Sequence, residues 1–515
     1  MPPVLTAAQH RARDAAIVAH EAITSVQLME RATQAFVARL ATHYPAARTS
    51  SLLIIAGPGN NGGDGLCAAR LLRKRGYRRV DVCYLDFGTA SADNQVQRSR
   101  LNTDTGFQTI KQAADLPDLT GYPLLVDAIF GTGLSRPAAG LPAEVIERIN
   151  AATGPTVVAL DLPSGLYTDR APEGPIVRAD RTLSLGLAKP ALFAPASAPY
   201  LGRWELVDFA ATEAALPAGV QEFMVDERTA AGGLKPRGAA SHKGTFGHAL
   251  LVAGSYGTVG AALLSARAIL RSGVGLLTVH VPECGYSILQ SGAPEAMVRT
   301  DASPTHCTRV RALEEAGRYR AVGIGPGLGK HAETLEALRE VIDRAAEAGQ
   351  PLVVDADALN LLAENQELLE RLPAGSILTP HPKEFERSFG NTPNDYARWE
   401  RQRERAAALN VVIVLKTNHT TVAAPDGSFS YNTTGNPGMG TGGTGDVLTG
   451  IITGLLAQDY QPATAARLGV YLHGLAGDLV AETIGQEALL AGDLVDHLGP
   501  AFRQLHAIRS QSPSS

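Results

Sequence analysis

"SLLIIAGPGNNGGDGLCAARLL", residues 51–72, runs an apolar segment into a glycine-rich loop and then into an apolar-periodic segment. Gly57, Gly59 and Gly62 have the G-x-G-x-x-G spacing of a dinucleotide loop, and Asp81 and Asp86 lie about where a ribose-binding acid falls. Such a loop offers backbone N–H groups to an anion at a helix N-terminus. Here Pro58 removes one donor, Asp64 brings a carboxylate where phosphate charge would come, and Asn60 and Asn61 add side-chain amides. The loop suits a cation or a hydroxyl-bearing ligand at least as well as a pyrophosphate.

Outward from this loop, short apolar runs alternate with helical segments: "SLLIIA", "RVDVCYL", "PLLVDAIF", "PTVVALDLP" and "RTLSLGL", closing near "GRWELVDFA". Residues 8–40 read as helical ahead of them. Apolar runs without polar alternation predict strands buried on both faces, as in a parallel sheet covered by helices. A motif-poor, loop-rich stretch then places a domain boundary near residues 211–225. A second series follows, "GHALLVAGS", "LLTVHVP", "RAVGIGPGLG", "PLVVDADALN", "GSILTPHP" and "VVIVLKTN". No fixed-period repeat relates the halves, so two different α/β domains are expected, over residues 1–215 and 225–515.

A chain of 515 residues is too long for one ordinary core, which agrees with that division. No run of 18 apolar residues occurs, so no membrane span is expected. The net charge of −5 and the lack of a long basic run argue against nucleic acid as a partner. The first residues lack an apolar signal core, which leads to a cytoplasmic expectation. Cys67, Cys83, Cys284 and Cys307 have no C-x-x-C spacing and read as reduced thiols.

Ligands of open α/β sheets bind beyond the carboxyl ends of the strands. "LLVDAIFGTGLSRP" puts Asp127 at one such end, and "VVALDLPSGL" puts Asp161 and Ser164 at another. Asn61, Asp127 and Ser164 are hard oxygen donors from three strand ends and suggest an alkali or alkaline-earth site. Each alone reads more simply as a turn former. In the second half, "NTTGNPGMGTGGTGDVLTGIITGLL" (432–456) opens glycines straight into an apolar helix, where free N–H groups can cradle phosphate. It lacks G-K-[ST] and is no Walker A loop. Asp446 at the helix start is placed to accept a proton from an attacking hydroxyl, or merely to cap the helix. "VLKTNHTTV" adds a base and hydroxyls suited to nucleotide phosphates, and His381 of "LTPHPKEFE" by itself reads as structural more readily than catalytic.

"LMERA", "AGPGNNGGDG", "DAIFGTGL", "ALDLPSGL" and "LAKP" together resemble the NAD(P)H-hydrate epimerase (YjeF N-terminal) family over about residues 10–210. The resemblance implies a Rossmann-like three-layer fold. It implies that Asn60, Asn61, Gly62, Gly63 and Asp64 line a hydrate site with Gly131, Thr132, Gly133, Leu134, Ser135, Arg136 and Pro137. Asp161 would contact the hydrate and is the acid/base candidate, while Asn61, Asp127 and Ser164 would hold potassium.

"HKGTFGHALLVAGS", "GIGPGLG", "VVDADALN", "LTPHPKEF", "GTGGTGDVLTG", "HGLAGD" and "AGDLVDHL" are similar, in order, to the ADP/ATP-dependent NAD(P)H-hydrate dehydratase family of the ribokinase-like superfamily. This resemblance implies that Lys416, Thr417, Asn418, His419, Thr420 and Gly445 bind the nucleotide, ADP with Mg2+. Asp446, His381, Ala262 and Gly327 would contact the hydrate. Both halves then serve the repair of hydrated NADH and NADPH, one interconverting the R and S hydrates and the other dehydrating the S form. Self-association is implied by the family. The competing readings are a vitamin-precursor kinase of the small-alcohol type, which leaves the first half unexplained, and a nucleotide-binding sensor, which leaves Asp446 unexplained.

Overall fold

The computed structural model describes residues 1–101, 105–209, 216–314 and 317–511. They form two compact units. One is built from Pro2–Val220 with Asn394–Tyr396, and the other from Gln221–Pro393 and Ala397 onward. Residues 211–215 of the expected boundary stretch lie outside the described residues.

In the first unit, strands β1 (Leu52–Ala56), β2 (Val80–Leu85), β3 (Gly106–Ile110), β4 (Leu124–Ala128), β5 (Thr156–Leu160), β6 (Arg181–Leu185) and β7 (Arg203–Val207) form one sheet ordered β3-β2-β1-β4-β5-β6-β7. Every pairing is parallel. All five residues of β1 and of β4 are buried, so the sheet is covered on both faces and its central strands read as unbroken apolar runs. The strand order reverses between β1 and β4, and the loops leaving these neighbours diverge there to open a crevice. β3 escapes sequence reading because it is an edge strand with three exposed residues out of five. The helical stretch at 8–40 is two helices, Ala7–Glu21 and Ser25–His43, divided at Ala22 in the left-handed region and restarted by a Thr24–Gln27 capping box.

The second unit has ten strands: β8 (Glu222–Val225), β9 (His248–Val252), β10 (Leu276–Val281), β11 (Met297–Thr300), β12 (Ala321–Ile324), β13 (Leu352–Val354), β14 (Ile377–Leu378), β15 (Val412–Leu415), β16 (Thr421–Ala423) and β17 (Phe429–Asn432). Their order is β11-β10-β9-β12-β13-β14-β15-β16-β17-β8, parallel except for β16, which runs antiparallel to both neighbours. β8 falls inside the stretch that reads as loop-rich, because four residues at a sheet edge carry too little pattern to stand out. Behind the sheet, the helix Thr444–Ala457 is buried from Val447 to its end and packs on the helix Val259–Arg271. An all-apolar helix of this kind belongs in a core.

Backbone contact sets the shape of the first crevice. A Cβ on Gly57 would lie 2.2 Å from the Ile129 carbonyl oxygen, and one on Gly62 would lie 1.7 Å from the Gly57 carbonyl oxygen. Asn94 Nδ2 donates to the Gly57 and Gly59 carbonyls at 3.0 and 2.9 Å, which locks the turn. Gly62→Ala is expected to lower the stability of the first unit by about 1–3 kcal/mol through overpacking. Gly59→Ala, where a Cβ meets nothing within 4 Å, should leave it unchanged. Calorimetric melting of both variants checks the pair; equal melting would remove the close-approach argument.

Candidate functional site

The crevice of the first unit is a cavity of about 790 Å³, lined by the loop at Pro58–Asn61, the turn at Ile129–Arg136, Asp64, Asp161, Lys189 and the helix bearing His10 and Asp14. Asp161 follows β5 and holds φ at +77°, a left-handed conformation that is uncommon without glycine and recurs at functional sites. Its Oδ1 accepts from the Leu185 N–H at 3.0 Å and pairs with Lys189 Nζ at 2.8 Å. The Lys189 side chain is 1% exposed, and its ammonium also donates to Ser184 Oγ and the Leu185 carbonyl at 3.0 and 2.9 Å. The carboxylate is thus fixed in direction while its edge still faces the cavity. His10 is buried beside Lys189, and desolvation with the nearby cations keeps its imidazole neutral. Burial likewise lifts the Asp14 carboxyl to about 6.

Next to the crevice lies an oxygen cluster. Asp127 is 1% exposed; its carboxylate accepts from Ser164 N at 2.7 Å, from Ser164 Oγ at 2.5 Å and from Ile129 N at 3.3 Å. Asn61 Nδ2 donates to the Phe130 carbonyl at 2.8 Å, and Ser164 Oγ accepts from Phe130 N at 2.9 Å. No lysine or arginine pairs with Asp127 among the described residues, and burial raises its carboxyl to about 6. One buried carboxylate with several neutral oxygens and no cationic side chain is a donor set that fits a hard cation, alkali or alkaline-earth. The structure therefore brings Asn61, Asp127 and Ser164 together as the strand-end spacing suggests. Asn60, Gly133, Ser135 and Arg136 are exposed at the mouth, whereas Gly62 and Gly63 are buried in the helix Asn60–Lys74.

In the second unit, the helix Thr444–Ala457 begins after Gly443 with φ +91° and no side-chain cap, which leaves its first N–H groups for a ligand. Asp446 is the third helical residue, and among the described residues its carboxylate makes no hydrogen bond, so it does not act as the cap. Burial and then the Asp355 charge raise it to about 6, against the opposing pull of Lys416. Lys416 Nζ pairs with Asp355 Oδ1 at 2.8 Å, and Thr449 Oγ1 donates to Asp355 Oδ2 at 2.6 Å. Gly445 lies beside both; an added Cβ would stand 3.4 Å from Lys416 Nζ and 3.8 Å from Asp355 Oδ2, at ordinary contact distance. The "HGLAGD" motif holds the loop ahead of the helix. His473, kept neutral by burial, bonds the Thr444 carbonyl at 2.9 Å, and Asp478 accepts from Gly435 N and Asn436 Nδ2, each at 2.9 Å.

The remaining expected residues divide in their placement. Thr417, His419 and Thr420 form the turn between β15 and β16, with Thr417 Oγ1 on the His419 carbonyl at 2.8 Å, and Asn418 is exposed. Gly327, at φ +59°, presents a carbonyl that takes both the Ser255 and Thr258 hydroxyls at 2.9 and 2.8 Å. His381 caps the helix Pro382–Phe389 by accepting two N–H bonds at Nδ1, and its Nε2 lies 3.4 Å from Glu384 Oε1. Ala262 is fully buried under Gly254 and shows no surface. Lys189, His10, Asp14, Asp355 and Thr449 are additions from the structure. Lys189 had a signal, a lysine before proline just beyond β6; His10 and Asp14 had none, because a helix far away in the chain supplies them. A second cavity of about 480 Å³ lies at the carboxyl end of Thr444–Ala457, where Lys235 and Arg237 are already committed to the Gln458, Asp459 and Gly273 carbonyls.

The fold and sites define a two-part α/β protein, each part with charged groups at the carboxyl ends of a largely parallel sheet. Residues 25–191 match the YjeF-related protein N-terminus family, and residues 249–499 match the NAD(P)H-hydrate dehydratase family. The chain is 39% identical to the bifunctional NAD(P)H-hydrate repair enzyme Nnr of Moorella thermoacetica, over 98% of this chain and 97% of that protein. It is 33% identical to the Escherichia coli protein of the same name, over 92% and 89%. The crystal structure of the ADP/ATP-dependent NAD(P)H-hydrate dehydratase from Bacillus subtilis, co-crystallised with ATP/Mg2+, is 36% identical over 55% of this chain and 98% of that one, with a TM-score of 0.48. The chain belongs to the family of bifunctional NAD(P)H-hydrate repair enzymes.

Removing a partner from a buried ion pair costs about 3–5 kcal/mol, because the other charge stays behind uncompensated. Lys189→Met is expected to destabilise the first unit by that order, measured by denaturant titration. A loss below about 1 kcal/mol would mean that solvent, rather than Lys189, neutralises Asp161.

Proposed function

We propose that this chain repairs hydrated NADH and NADPH, with its first unit interconverting the R and S hydrates and its second dehydrating the S form at the expense of ADP. One observation carries the dehydratase reading: Asp446 stands unbonded at the start of an uncapped helix, beside the Lys416–Asp355 pair. Addition of water to the dihydronicotinamide double bond puts a hydroxyl on the carbon beside the ring nitrogen. Hydroxide leaves poorly and phosphate leaves well, so phosphorylation of that hydroxyl prepares its expulsion. Asp446 takes the hydroxyl proton as its oxygen attacks the terminal phosphorus of ADP, and AMP departs. The helix N–H groups and Lys416 neutralise charge on the phosphoryl oxygens. Loss of the phosphate and of a proton from the adjacent carbon restores the double bond. Mg2+ enters with the nucleotide as part of the co-substrate.

For the first unit, Asp161 is the group that moves protons at the hydrate, oriented by Lys189 and the Leu185 N–H. Asn61, Asp127 and Ser164 hold potassium, which supplies a fixed positive charge beside the crevice. The loop Gly131–Pro137 with Asn60–Asp64 surrounds the hydrate, while Lys416–Thr420, Gly445, His381 and Gly327 serve nucleotide and hydrate in the second unit. Ala262, packed against the Gly254 turn at the start of the helix Val259–Arg271, adds to the hydrate side of that set. Four free thiols suit a reducing cytoplasmic setting, and self-association extends the same family reading.

Incubation of mixed R and S hydrates with ADP, followed by the near-ultraviolet absorbance of the reduced cofactor, tests this. The full chain should convert the whole mixture. Asp161→Asn should convert only the S fraction, and Asp446→Asn should lose dehydration by about 10²-fold or more while melting normally. Because Asp446 must be ionised to accept a proton, the wild-type dehydration rate should fall as pH drops through about 6. A variant at Asp446 that still consumes ADP at the wild-type rate removes its role.

A further inference from the structure

Dehydration in the second unit moves two protons, and Asp446 accounts for one of them. The first leaves the hydroxyl as its oxygen attacks phosphorus. The second leaves the neighbouring carbon when the double bond is restored. We propose that Asp357 is a second catalytic residue of this reaction, the base that takes the carbon-bound proton as phosphate departs. The inference rests on the dehydratase reading above.

Asp357 belongs to the stretch "VVDADALN", which leaves β13 and turns into the helix Ala356–Glu364. The turn runs through Ala356 at φ +50°, a conformation that strains a residue with a Cβ and recurs at functional sites. The two aspartates of the stretch bond to different elements. Asp355 takes Lys416 Nζ at 2.8 Å and Thr449 Oγ1 at 2.6 Å. Asp357 Oδ2 instead accepts from the Gly329 N–H at 2.9 Å, in the turn that follows β12. Gly325 seats that turn on the same stretch, since an added Cβ there would lie 1.9 Å from the Asp355 carbonyl oxygen. The Gly327 carbonyl of the turn takes the Ser255 and Thr258 hydroxyls. Asp357 therefore stands at the Gly327 wall, on the hydrate side of the site. Its charge also reaches Asp446, where it adds to burial and to the Asp355 charge.

A base needs a free lone pair, and the neighbouring groups have theirs engaged. One Asp355 oxygen holds an ammonium and the other a hydroxyl. His381 accepts two N–H bonds at Nδ1, so a neutral ring carries its proton on Nε2, 3.4 Å from Glu384 Oε1. Glu384 Oε2 accepts from the His381 N–H at 2.9 Å. Asp446 holds the hydroxyl proton when phosphate leaves. Among the described residues, Asp357 Oδ1 has no hydrogen-bond partner and no lysine or arginine pairs with the side chain. The bond at Oδ2 anchors the carboxylate and leaves Oδ1 open.

The step balances without any further reactant. In the phosphorylated hydrate the ring-nitrogen lone pair forms a carbon–nitrogen double bond. The carbon–oxygen bond breaks with its electron pair going to phosphate, which leaves an iminium cation. The cation acidifies the hydrogens on the next carbon. Asp357 takes one of them as a proton, and the carbon–hydrogen pair becomes the carbon–carbon double bond. The carbon–nitrogen π pair returns to nitrogen, giving the reduced cofactor, and the proton on Asp357 passes to solvent. A fixed carboxylate also stabilises the cation while it lasts.

Single turnovers with the full chain in excess over S hydrate, supplied with ADP and Mg2+, separate the two steps when AMP and reduced cofactor are followed together. Asp357→Asn keeps an oxygen for the Gly329 N–H but is no base. It should melt as wild type and still form AMP, while reduced cofactor appears about 10²-fold or more slowly than AMP. Equal rates of AMP and cofactor in that variant, whether both normal or both lowered together, overturn the proposal. Should the variant fold poorly, the wild type decides with S hydrate that carries deuterium on one face of the reacting carbon. A base fixed on one side removes all of the label or none of it, and a product that keeps about half overturns the proposal equally. A wild-type chain that forms no AMP from ADP and S hydrate would instead remove the dehydratase reading itself.

Discussion

A lysine is held against a buried aspartate at the strand ends of both units. Lys189 pairs with Asp161 and Lys416 with Asp355, each at 2.8 Å at the carboxyl end of a parallel sheet. A lone ion in such a place would cost several kcal/mol and would shed its charge. The pairs allow charge to stand where ligands arrive. They are used differently: in the first unit the paired aspartate itself faces the cavity, whereas in the second the pair stands behind Asp446 and leaves that carboxyl free of hydrogen bonds.

That difference sorts the carboxyl groups by what surrounds them. Asp161 keeps a cation and one N–H donor. Asp64 and Asp127 have hydroxyl or backbone partners and, among the described residues, no paired cation, and both are shifted upward by burial. Asp446 is intermediate, lifted by burial and by Asp355 yet drawn back by Lys416. The upward shifts at Asp64, Asp127 and Asp446 share one first cause, removal of the carboxyl from water by the fold.

Backbone packing brings these groups to their places. The Gly57–Gly62 turn fits only without side chains, and the reversal of strand order between β1 and β4 opens the space that the turn borders. In the second unit the tight position is Gly443, at φ +91° with an added Cβ 2.6 Å from Leu264 Cδ1, and His473 with Asp478 fixes the preceding loop. A glycine motif in each half is therefore a steric requirement first and a ligand surface second.

The central parallel strands were legible in the amino-acid sequence because burial on both faces imposes continuous apolar runs, and the strand ends were legible because glycine, asparagine and aspartate cluster there. Asn61, Asp127 and Ser164 could be picked out on that ground, as could Asp161 and Asp446. The edge strands β3, β8 and β11 could not, since one-sided pairing and exposure leave them no apolar period. Nor could most of the partners of these side chains: Asp355 stands 61 positions from Lys416 and Thr33 31 from Asp64, whereas Lys189, 28 positions from Asp161, was marked as a lysine before proline just beyond β6. Local pattern encodes which face of an element is buried. Which proton sits on which carboxyl depends on distance and desolvation between elements that only the folded chain brings together.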